Sequence, residues 1–205
     1  MKKIVTVSRE FGSGGRELGK RLADALGLSY IDNEIVEAMS KETALDEKYL
    51  EDRLNSGILQ YPVTFAHSFS RIPSASGSAM LIAQQHKIIR ETAARTDCVI
   101  VGRGADAVLS DMRPFRIFVY ADIPSKIARC KARSDNGESA TDKDISREIK
   151  RIDKARRITH DLYSSYPWGD KAGYDLMVNT SRSEIKDIAP IIAEYARKFF
   201  EGGGR

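Results

Sequence analysis

The first thirty residues constrain the fold most strongly, because an apolar run, a cluster of glycines and an amphipathic segment follow one another without interruption. Residues 4–7 predict a strand, residues 16–26 predict a helix, and Gly12, Gly14 and Gly15 lie between them. Glycines allow successive backbone N–H groups to turn toward an anion, and the start of a helix adds unpaired N–H groups and a positive dipole end. This order predicts a binding site for a nucleotide phosphate.

The glycine cluster departs from the standard phosphate-loop pattern, which leaves a plainer interpretation open. If Gly14 is the second glycine of G-x-x-x-x-G-K-[ST], the first glycine falls on Arg9 and the lysine on Gly15. The cluster is then either a phosphate site without its usual lysine or only a tight connection. The dinucleotide pattern G-x-G-x-x-G is rejected, because its third glycine falls on Glu17. Because the cluster follows the first strand directly, we expect a phosphate site formed by Gly12, Ser13, Gly14 and Gly15.

Composition sets the broad class of the protein. The chain has 205 residues, of which 41% are hydrophobic, enough for the core of one α/β domain. Its net charge of +4 suits small anions as well as nucleic acid and decides little between them. There is no run of about 18 apolar residues and no signal-peptide pattern, so we expect a cytoplasmic protein. Cys98 and Cys130 lie too far apart in sequence to indicate a metal site or a disulfide framework.

Further strands and helices can be placed along the chain. Apolar runs at 98–101 and 115–120 are typical of central parallel strands that are covered on both faces, and residues 174–180 predict a short last strand. Residues 79–95 have helical spacing, and a final amphipathic helix is expected to begin at an N-cap on Ser183. These elements predict a three-layer α/β fold with a central parallel sheet.

Two longer motifs point to one family. The opening segment SREFGSGGRELG and the block VIVGRGAD, at residues 8–19 and 99–106, resemble the divergent cytidylate-kinase-like branch of the P-loop nucleoside monophosphate kinases. The resemblance implies ATP-dependent, magnesium-dependent phosphoryl transfer to a nucleoside monophosphate, CMP or dCMP being the expected acceptor. It also implies a P-loop NTPase-type core at about 1–40, 79–130 and 170–200, a helical NMP-binding insertion at about 41–78, and a lid at about 131–169.

A basic segment at 147–157 fits the expected lid, because phosphoryl transfer needs cations that neutralise the transferred group. Asp153 and Arg156 are three residues apart and share one helix face, so Asp153 is expected to orient an arginine. The alternative is an ordinary solvated basic face. The preceding polar segment at 134–144 contains a glycine, as a hinge would. The transition state is expected to be neutralised by Arg129, Arg133, Arg156 and Arg157.

The acceptor side is predicted from the strand ends. Arg103 follows a buried strand at the carboxyl edge of the sheet, where open α/β sheets bind ligands, and its guanidinium can grip a phosphate through two hydrogen bonds. A structural ion pair is the alternative for Arg103. The resemblance implies that Asp32, after the second strand, lies beside the phosphates and magnesium; the alternative is that it is only a helix N-cap. With what the resemblance implies for Asp106 and the lid, the expected acceptor-binding residues are Asp32, Arg103, Asp106, Lys150 and Arg151.

At the ATP-binding part of the site, another residue must take the place of the missing loop lysine. We expect Arg16 to take its part in binding the phosphates and in catalysis, and Glu17 and Asp32 to hold magnesium. Ser8 or Ser13 could supply a further oxygen ligand. The aromatic residues Tyr163, Tyr166 and Trp168 stack on a base or are packing residues. No role is assigned to His67, His86 or His160, which lack metal-ligand spacing.

Two other functions stay open because of these departures. A nucleotide-binding sensor without transferase activity would also lack the loop lysine, and a P-loop kinase for a non-nucleotide acceptor would differ around Asp32. A nucleic-acid-binding protein is not expected, because the basic residues cluster in one helix rather than along a face. The expected partner is therefore a small nucleotide substrate, without nucleic acid or membrane, for a monomer or weak homo-oligomer.

Overall fold

A computed structural model describes residues 2–50, 75–133 and 140–202 of the chain. The strands within these ranges are β1 (Ile4–Arg9), β2 (Ser29–Ile31), β3 (Cys98–Val101), β4 (Phe115–Tyr120) and β5 (Leu176–Asn179). The α-helices are α1 (Gly15–Leu26), α2 (Glu34–Thr43), α3 (Ala75–Arg95), α4 (Ala105–Val108), α5 (Ile123–Arg133), α6 (Asp142–Asp161) and α7 (Ile185–Glu201). Short 3₁₀ helices cover Ser110–Met112 and Lys171–Gly173.

The five strands form one parallel sheet in the order β2-β3-β1-β4-β5. The first strand lies in the middle, with Ile4 opposite Cys98 on one side and Val5 opposite Phe115 on the other. Parallel neighbours require crossover connections, and helices supply them. The carboxyl ends of all five strands therefore meet at one edge, where residues 10, 32, 102, 121 and 180 follow them.

The central strands are buried on both faces, as their continuous apolar runs predict. Val5 and Val7 of β1 face a core that is completed by α1 and α7, with Leu18 and Ile192 among its members. Ile4 points the other way, into a second core that is completed by α2, α3 and α4. The layers are thus helix, sheet and helix, and the predicted α/β fold with a central parallel sheet is confirmed.

Element boundaries differ from the expectations at a few places. The last strand occupies only the middle of the predicted 174–180 segment, and α3 begins at Ala75 rather than at 79. The N-cap prediction for Ser183 is wrong: Glu184 is the cap residue, with extended backbone, and its side chain makes no capping hydrogen bond. Much of the expected insertion (51–74) and part of the expected hinge (134–139) lie outside the described residues. None of the described helices combines the length and apolarity needed to cross a membrane.

Candidate active site

The loop between β1 and α1, residues 10–15, has the geometry of an anion-binding loop. Gly14 caps α1 in a left-handed conformation (φ 84°) without any side-chain capping bond. The first N–H groups of a helix have no partner within it, so those at the start of α1 can donate to a phosphate. The left-handed φ favours glycine there, and a Cβ on Gly14 would also lie 2.0 Å from Ile185 Cδ1, so that this side chain would have to shift. The predicted residues Gly12, Ser13, Gly14 and Gly15 all belong to this loop.

A buried threonine holds the back of the loop. Thr180, which follows β5, donates from Oγ1 to the backbone oxygen of Ser13 at 2.7 Å. Arg129 of α5 donates from Nη1 to Thr180 Oγ1 at 3.2 Å and from Nη2 to the Thr180 carbonyl. The guanidinium of Arg129 therefore supports the phosphate loop from behind, which differs from the expected role of neutralising the transferred group. Ser13 is fully buried, and its hydroxyl donates to the Glu10 carbonyl at 2.8 Å.

Arg16 and Asp32 form an ion pair at the mouth of the loop. Arg16 Nε lies 2.5 Å from Asp32 Oδ2, which also accepts a hydrogen bond from the Tyr30 hydroxyl at 3.2 Å. Burial and the Asp32 carboxylate raise the pKa of Tyr30 to about 12. The N-cap alternative for Asp32 is wrong, because Asn33 holds the cap position of α2. Asp32 is 4% exposed, and its Oδ1 has no hydrogen-bond partner within the described ranges.

Three arginines converge on one cavity at the sheet edge. Arg9, at the end of β1, lies against Gly102, and Arg103 and Arg156 line the same cavity. Arg156 of α6 donates to the Arg9 carbonyl at 3.0 Å and lies 3.9 Å from Asp153, as the predicted orienting role of Asp153 requires. Burial lowers the pKa of Arg156 to about 10 despite the attraction of Asp153. Burial and the charge of Arg156 hold the pKa of Arg9 well below its ordinary value.

The cavity lies between the strand ends, α3 and α6. It encloses about 60 Å³, enough for a phosphate-sized anion or a few water molecules. The lining combines the guanidinium-bearing residues Arg9, Arg103 and Arg156 with uncharged side chains that include Gln85 and Tyr163. Such a lining can bind both an anion and a polar, uncharged group. Arg9 was not predicted, because the loop pattern treats its position only as a missing glycine.

A buried histidine connects the cavity wall to the sheet. His160 near the end of α6 is 3.1 Å from Asp106 through Nε2 and 3.1 Å from Asp161 through Nδ1. Asp106 also accepts hydrogen bonds from Ser8 Oγ at 3.0 Å and from the Tyr166 hydroxyl at 3.2 Å. Burial alone would lower the pKa of His160, but the hydrogen bonds and charges of the two aspartates raise it. Burial alone would raise the pKa of Asp106, but His160 and Ser8 lower it.

Comparison with known proteins agrees with this geometry. The model of the cytidylate kinase-like family matches residues 4–182. The chain belongs to the cytidylate kinase-like family. No curated protein sequence matches the chain significantly. The crystal structure of an uncharacterized protein from Eubacterium ventriosum is 23% identical, with a TM-score of 0.69, and the match covers 96% of this chain and 99% of the other.

Shikimate kinases share the fold of this family member. The enzyme from Bacteroides thetaiotaomicron matches with a TM-score of 0.58 at 14% identity, over 95% of this chain and 98% of that one. The enzyme from Acinetobacter baumannii, solved in complex with shikimate, matches with a TM-score of 0.55 at 12% identity, over 97% and 94%. At such identities the likeness shows the P-loop kinase fold and nothing finer. Family and fold together support a phosphotransferase.

A second ionic cluster in this kinase-like chain fixes the loop to α6. Lys126 of α5 is 3% exposed and lies 2.6 Å from Glu10 Oε2 and 3.3 Å from Asp153 Oδ2. Asp153 Oδ1 accepts a hydrogen bond from the Phe11 N–H at 2.6 Å. Burial raises the pKa of Asp153, although Phe11 and Lys126 oppose the shift. The sequence does not predict this role for Lys126, because no local pattern connects it to residues so distant in the chain.

Several predicted residues lie away from the cavity. Counted on the phosphate-loop spacing, the hydroxyl position is Arg16, so Glu17 is one residue beyond it, and Glu17 pairs with Arg21 at 2.9 Å on the exposed side of α1. Lys150 is exposed on α6, and Arg151 pairs with Glu148 at 2.6 Å. These placements disfavour Glu17 as a metal ligand and Lys150 and Arg151 as acceptor ligands. Arg133 and Arg157 are also exposed in the structure.

Trp168, one of the aromatic residues after α6, makes packing contacts within the fold and also lines the cavity. Trp168 is 7% exposed and packs edge-on against Phe118, with their ring centres 5.1 Å apart. Arg157 Cζ lies over the Trp168 ring, 5.9 Å from its centroid. Trp168 and Tyr163 both line the cavity. The choice between packing and base stacking therefore stays a prediction for these two residues.

Proposed function

We propose that this protein transfers the γ-phosphoryl group of ATP to a nucleoside monophosphate, with CMP or dCMP as acceptor. The observation that carries the proposal is the arginine-lined cavity beside the phosphate loop. In-line transfer needs a donor phosphate held by backbone N–H groups and an acceptor phosphate held by cations a short distance away. The loop at 10–15 supports the first requirement, and Arg9, Arg103 and Arg156 support the second.

Phosphoryl transfer to a phosphate acceptor requires no catalytic base from the protein. An acceptor phosphate is already ionised, so one of its oxygens attacks the γ-phosphorus and the bond to the β-bridging oxygen breaks, which releases ADP. Arg156 lies at the junction between loop and cavity, because it binds the Arg9 carbonyl and packs at 5.7 Å over the Phe11 ring. From this position it can neutralise charge on the group in transit.

Magnesium and ATP fit the residues present. Asp32 offers a buried carboxylate oxygen, Oδ1, with no hydrogen bond from the described residues, and carboxylate oxygen is a ligand that Mg²⁺ prefers. Within those residues no group of three or more His, Cys, Asp or Glu side chains could hold a metal. Mg²⁺ bound through one carboxylate and the substrate phosphates needs no such group. When bound, the ion would neutralise charge on the β- and γ-phosphates.

The acceptor must enter between two helices. A cavity of about 60 Å³ accommodates a phosphate but not a whole nucleotide. Kinases commonly open and close around their substrates, so we expect α6, which carries Arg156 and His160, to move away from α3 when the acceptor enters.

The test is ADP release from MgATP with CMP, dCMP, UMP, AMP or GMP. We expect acceptor-dependent release with the wild-type protein. Replacing Arg103 by methionine should lower kcat/KM for the acceptor by about 10- to 100-fold, the range for charge-assisted hydrogen bonds. Arg151→Met is the matched control, because Arg151 lies on the exposed side of α6 and pairs with Glu148. Equal losses in both variants would contradict the proposed acceptor site.

Two other functions have specific support. Structural neighbours that are shikimate kinases, together with the small cavity, favour a non-nucleotide acceptor as the second candidate. The missing loop lysine favours a nucleotide-binding sensor without transferase activity. ATP binding without ADP release in the presence of any nucleoside monophosphate would support these alternatives over the proposed reaction.

A further inference from the structure

Gln85 occupies an unusual position in the wall of the cavity. It lies on α3, is 3% exposed and lines the cavity together with the arginines. Its Nε2 donates to the backbone oxygen of Arg103 at 3.2 Å. A carbonyl oxygen only accepts hydrogen bonds, so this contact fixes the orientation of the amide, with the NH₂ group toward Arg103.

The other end of the amide is unsatisfied. Gln85 Oε1 is buried and has no hydrogen-bond partner within the described ranges. Most buried polar side-chain atoms are hydrogen-bonded, because an unpaired acceptor loses its water without compensation. A buried acceptor oxygen without a partner, in the wall of a ligand cavity, is therefore placed to accept a hydrogen bond from a donor on the ligand.

The chemistry of the lining residues determines which part of the ligand can supply that donor. An ionised phosphate consists of acceptors, so it is attracted to the guanidiniums of Arg9 and Arg156 and repelled by Gln85 Oε1. The oxygen must instead meet an N–H or O–H group on the uncharged part of the molecule. On a nucleobase, the exocyclic amine of cytosine is such a donor, whereas uracil has a carbonyl oxygen at the same place.

We propose that Gln85 is a specificity-determining residue that accepts a hydrogen bond from the exocyclic amine of the acceptor's base and so selects cytidine over uridine monophosphate. The proposal rests on the proposed function for the location of the acceptor. Uracil would place one acceptor against another and leave both unpaired. Sites built to hydrogen-bond a particular substrate group reject analogues that lack it strongly.

Gln85 also has a second effect that the test must separate. Arg103 is a non-glycine residue with a left-handed backbone (φ 59°), and the Gln85 amide holds its carbonyl. Because Arg103 faces the phosphate, which every nucleotide carries, losing this support weakens all acceptors alike. Losing Oε1 weakens only those with an amine. The ratio of the dissociation constants for UMP and CMP therefore isolates the role of Oε1.

The experiment measures the binding of CMP and UMP by titration calorimetry to four folded proteins. These are the wild type, Gln85→Met, which loses both ends of the amide, Gln85→Glu, which keeps an acceptor but loses the NH₂ group, and Gln84→Met. Gln84 is the matched control, because it lies on the same helix and donates to Glu42 instead. ADP release is recorded separately for each protein.

We expect the wild type to bind CMP at least tenfold more tightly than UMP. The ratio should fall to within about twofold of unity in Gln85→Met and persist in Gln84→Met. In Gln85→Glu both nucleotides should bind more weakly, with the preference retained. An unchanged ratio in Gln85→Met overturns the proposal. So does a wild type that binds both nucleotides equally or neither, a result that requires no variant to fold.

The binding measurement tests the inference about Gln85, and the ADP-release measurement tests the proposed kinase reaction. If CMP binds preferentially and the preference depends on Gln85, yet no ADP forms, the inference about Gln85 stands and the proposed kinase reaction fails. If CMP is phosphorylated but UMP binds as tightly and reacts as fast, the kinase function stands and the inference about Gln85 fails.

Discussion

Replacing Thr180 by valine tests how the phosphate loop is held. Valine has the shape of threonine but lacks the hydroxyl, so Thr180→Val removes the 2.7 Å bond to the Ser13 carbonyl without opening a cavity. It also leaves Arg129 Nη1 without its 3.2 Å acceptor. The Ser13 carbonyl and the Gly14 N–H belong to one planar peptide and point in opposite directions. Holding that oxygen at the back of the loop therefore directs the Gly14 N–H toward the anion.

The size of the effect follows from burial. Thr180 and Ser13 are both fully buried, so water cannot replace the lost partner. A buried group left unpaired costs about 1–3 kcal/mol. We expect the free energy of unfolding to fall by about that amount and the affinity for ATP to fall about 5- to 10-fold, because a freed peptide must be reoriented when phosphate binds. Thr180→Ser keeps the hydroxyl and should retain most of the ATP affinity.

The assay pairs urea unfolding with equilibrium binding of ATP and of CMP. Thr43→Val is the matched control: it removes a threonine hydroxyl that bonds at 2.7 Å to Met39 within α2, away from the loop. We expect the control to change the ATP affinity by less than about twofold. If Thr180→Val is destabilised yet binds ATP as the wild type does, Thr180 stabilises the fold without orienting the loop. An equal loss of CMP affinity would also refute the reasoning.

Three further substitutions test other parts of the site. Gly102→Ala places a Cβ 1.4 Å from Arg9 Nη1, at a residue whose φ is 75°, so the Arg9 guanidinium must leave the cavity. The KM for the acceptor should then rise about tenfold. An unchanged KM would refute the role of Arg9 in binding the acceptor. Because the pKa of His160 is raised by Asp106, its contribution to stability is present below about pH 6.5 and disappears as the pH rises through the higher folded value. Urea unfolding from pH 5.5 to 8.5 should show this decline in the wild type, and a similar decline in His160→Asn would exclude it. Glu17→Ala should leave the Mg²⁺ dependence of ADP release unchanged, whereas a higher Mg²⁺ requirement would restore Glu17 as a metal ligand.

The sequence predicted those features that depend on short-range patterns. The strand, glycine loop and helix at the start of the chain are all contiguous, so their residue order carries the necessary information. The pairing of Asp153 with Arg156 was accessible for the same reason, because a spacing of three residues places both side chains on one helix face. Arg103 could be placed at the edge of the sheet because it follows a buried strand.

The missed residues depend on contacts between distant parts of the chain. Thr180 meets Ser13 across 167 positions, and His160 meets Asp106 across 54. No periodicity connects such pairs, and each residue alone has several ordinary structural roles. Arg9 was missed for another reason. The phosphate-loop pattern registers only that a glycine is lacking there, and the fold uses the side chain at that position to bring a guanidinium to the cavity.

Under the proposed function, arginines from several elements take the part of the missing loop lysine. Arg9 comes from the end of β1, Arg16 from the start of α1 and Arg156 from α6, and of these three only Arg16 is substantially exposed. Burial and the charges of neighbouring guanidiniums lower the pKa values of Arg9 and Arg156. Under the proposed function, a phosphate dianion would offset this concentration of positive charge when it binds.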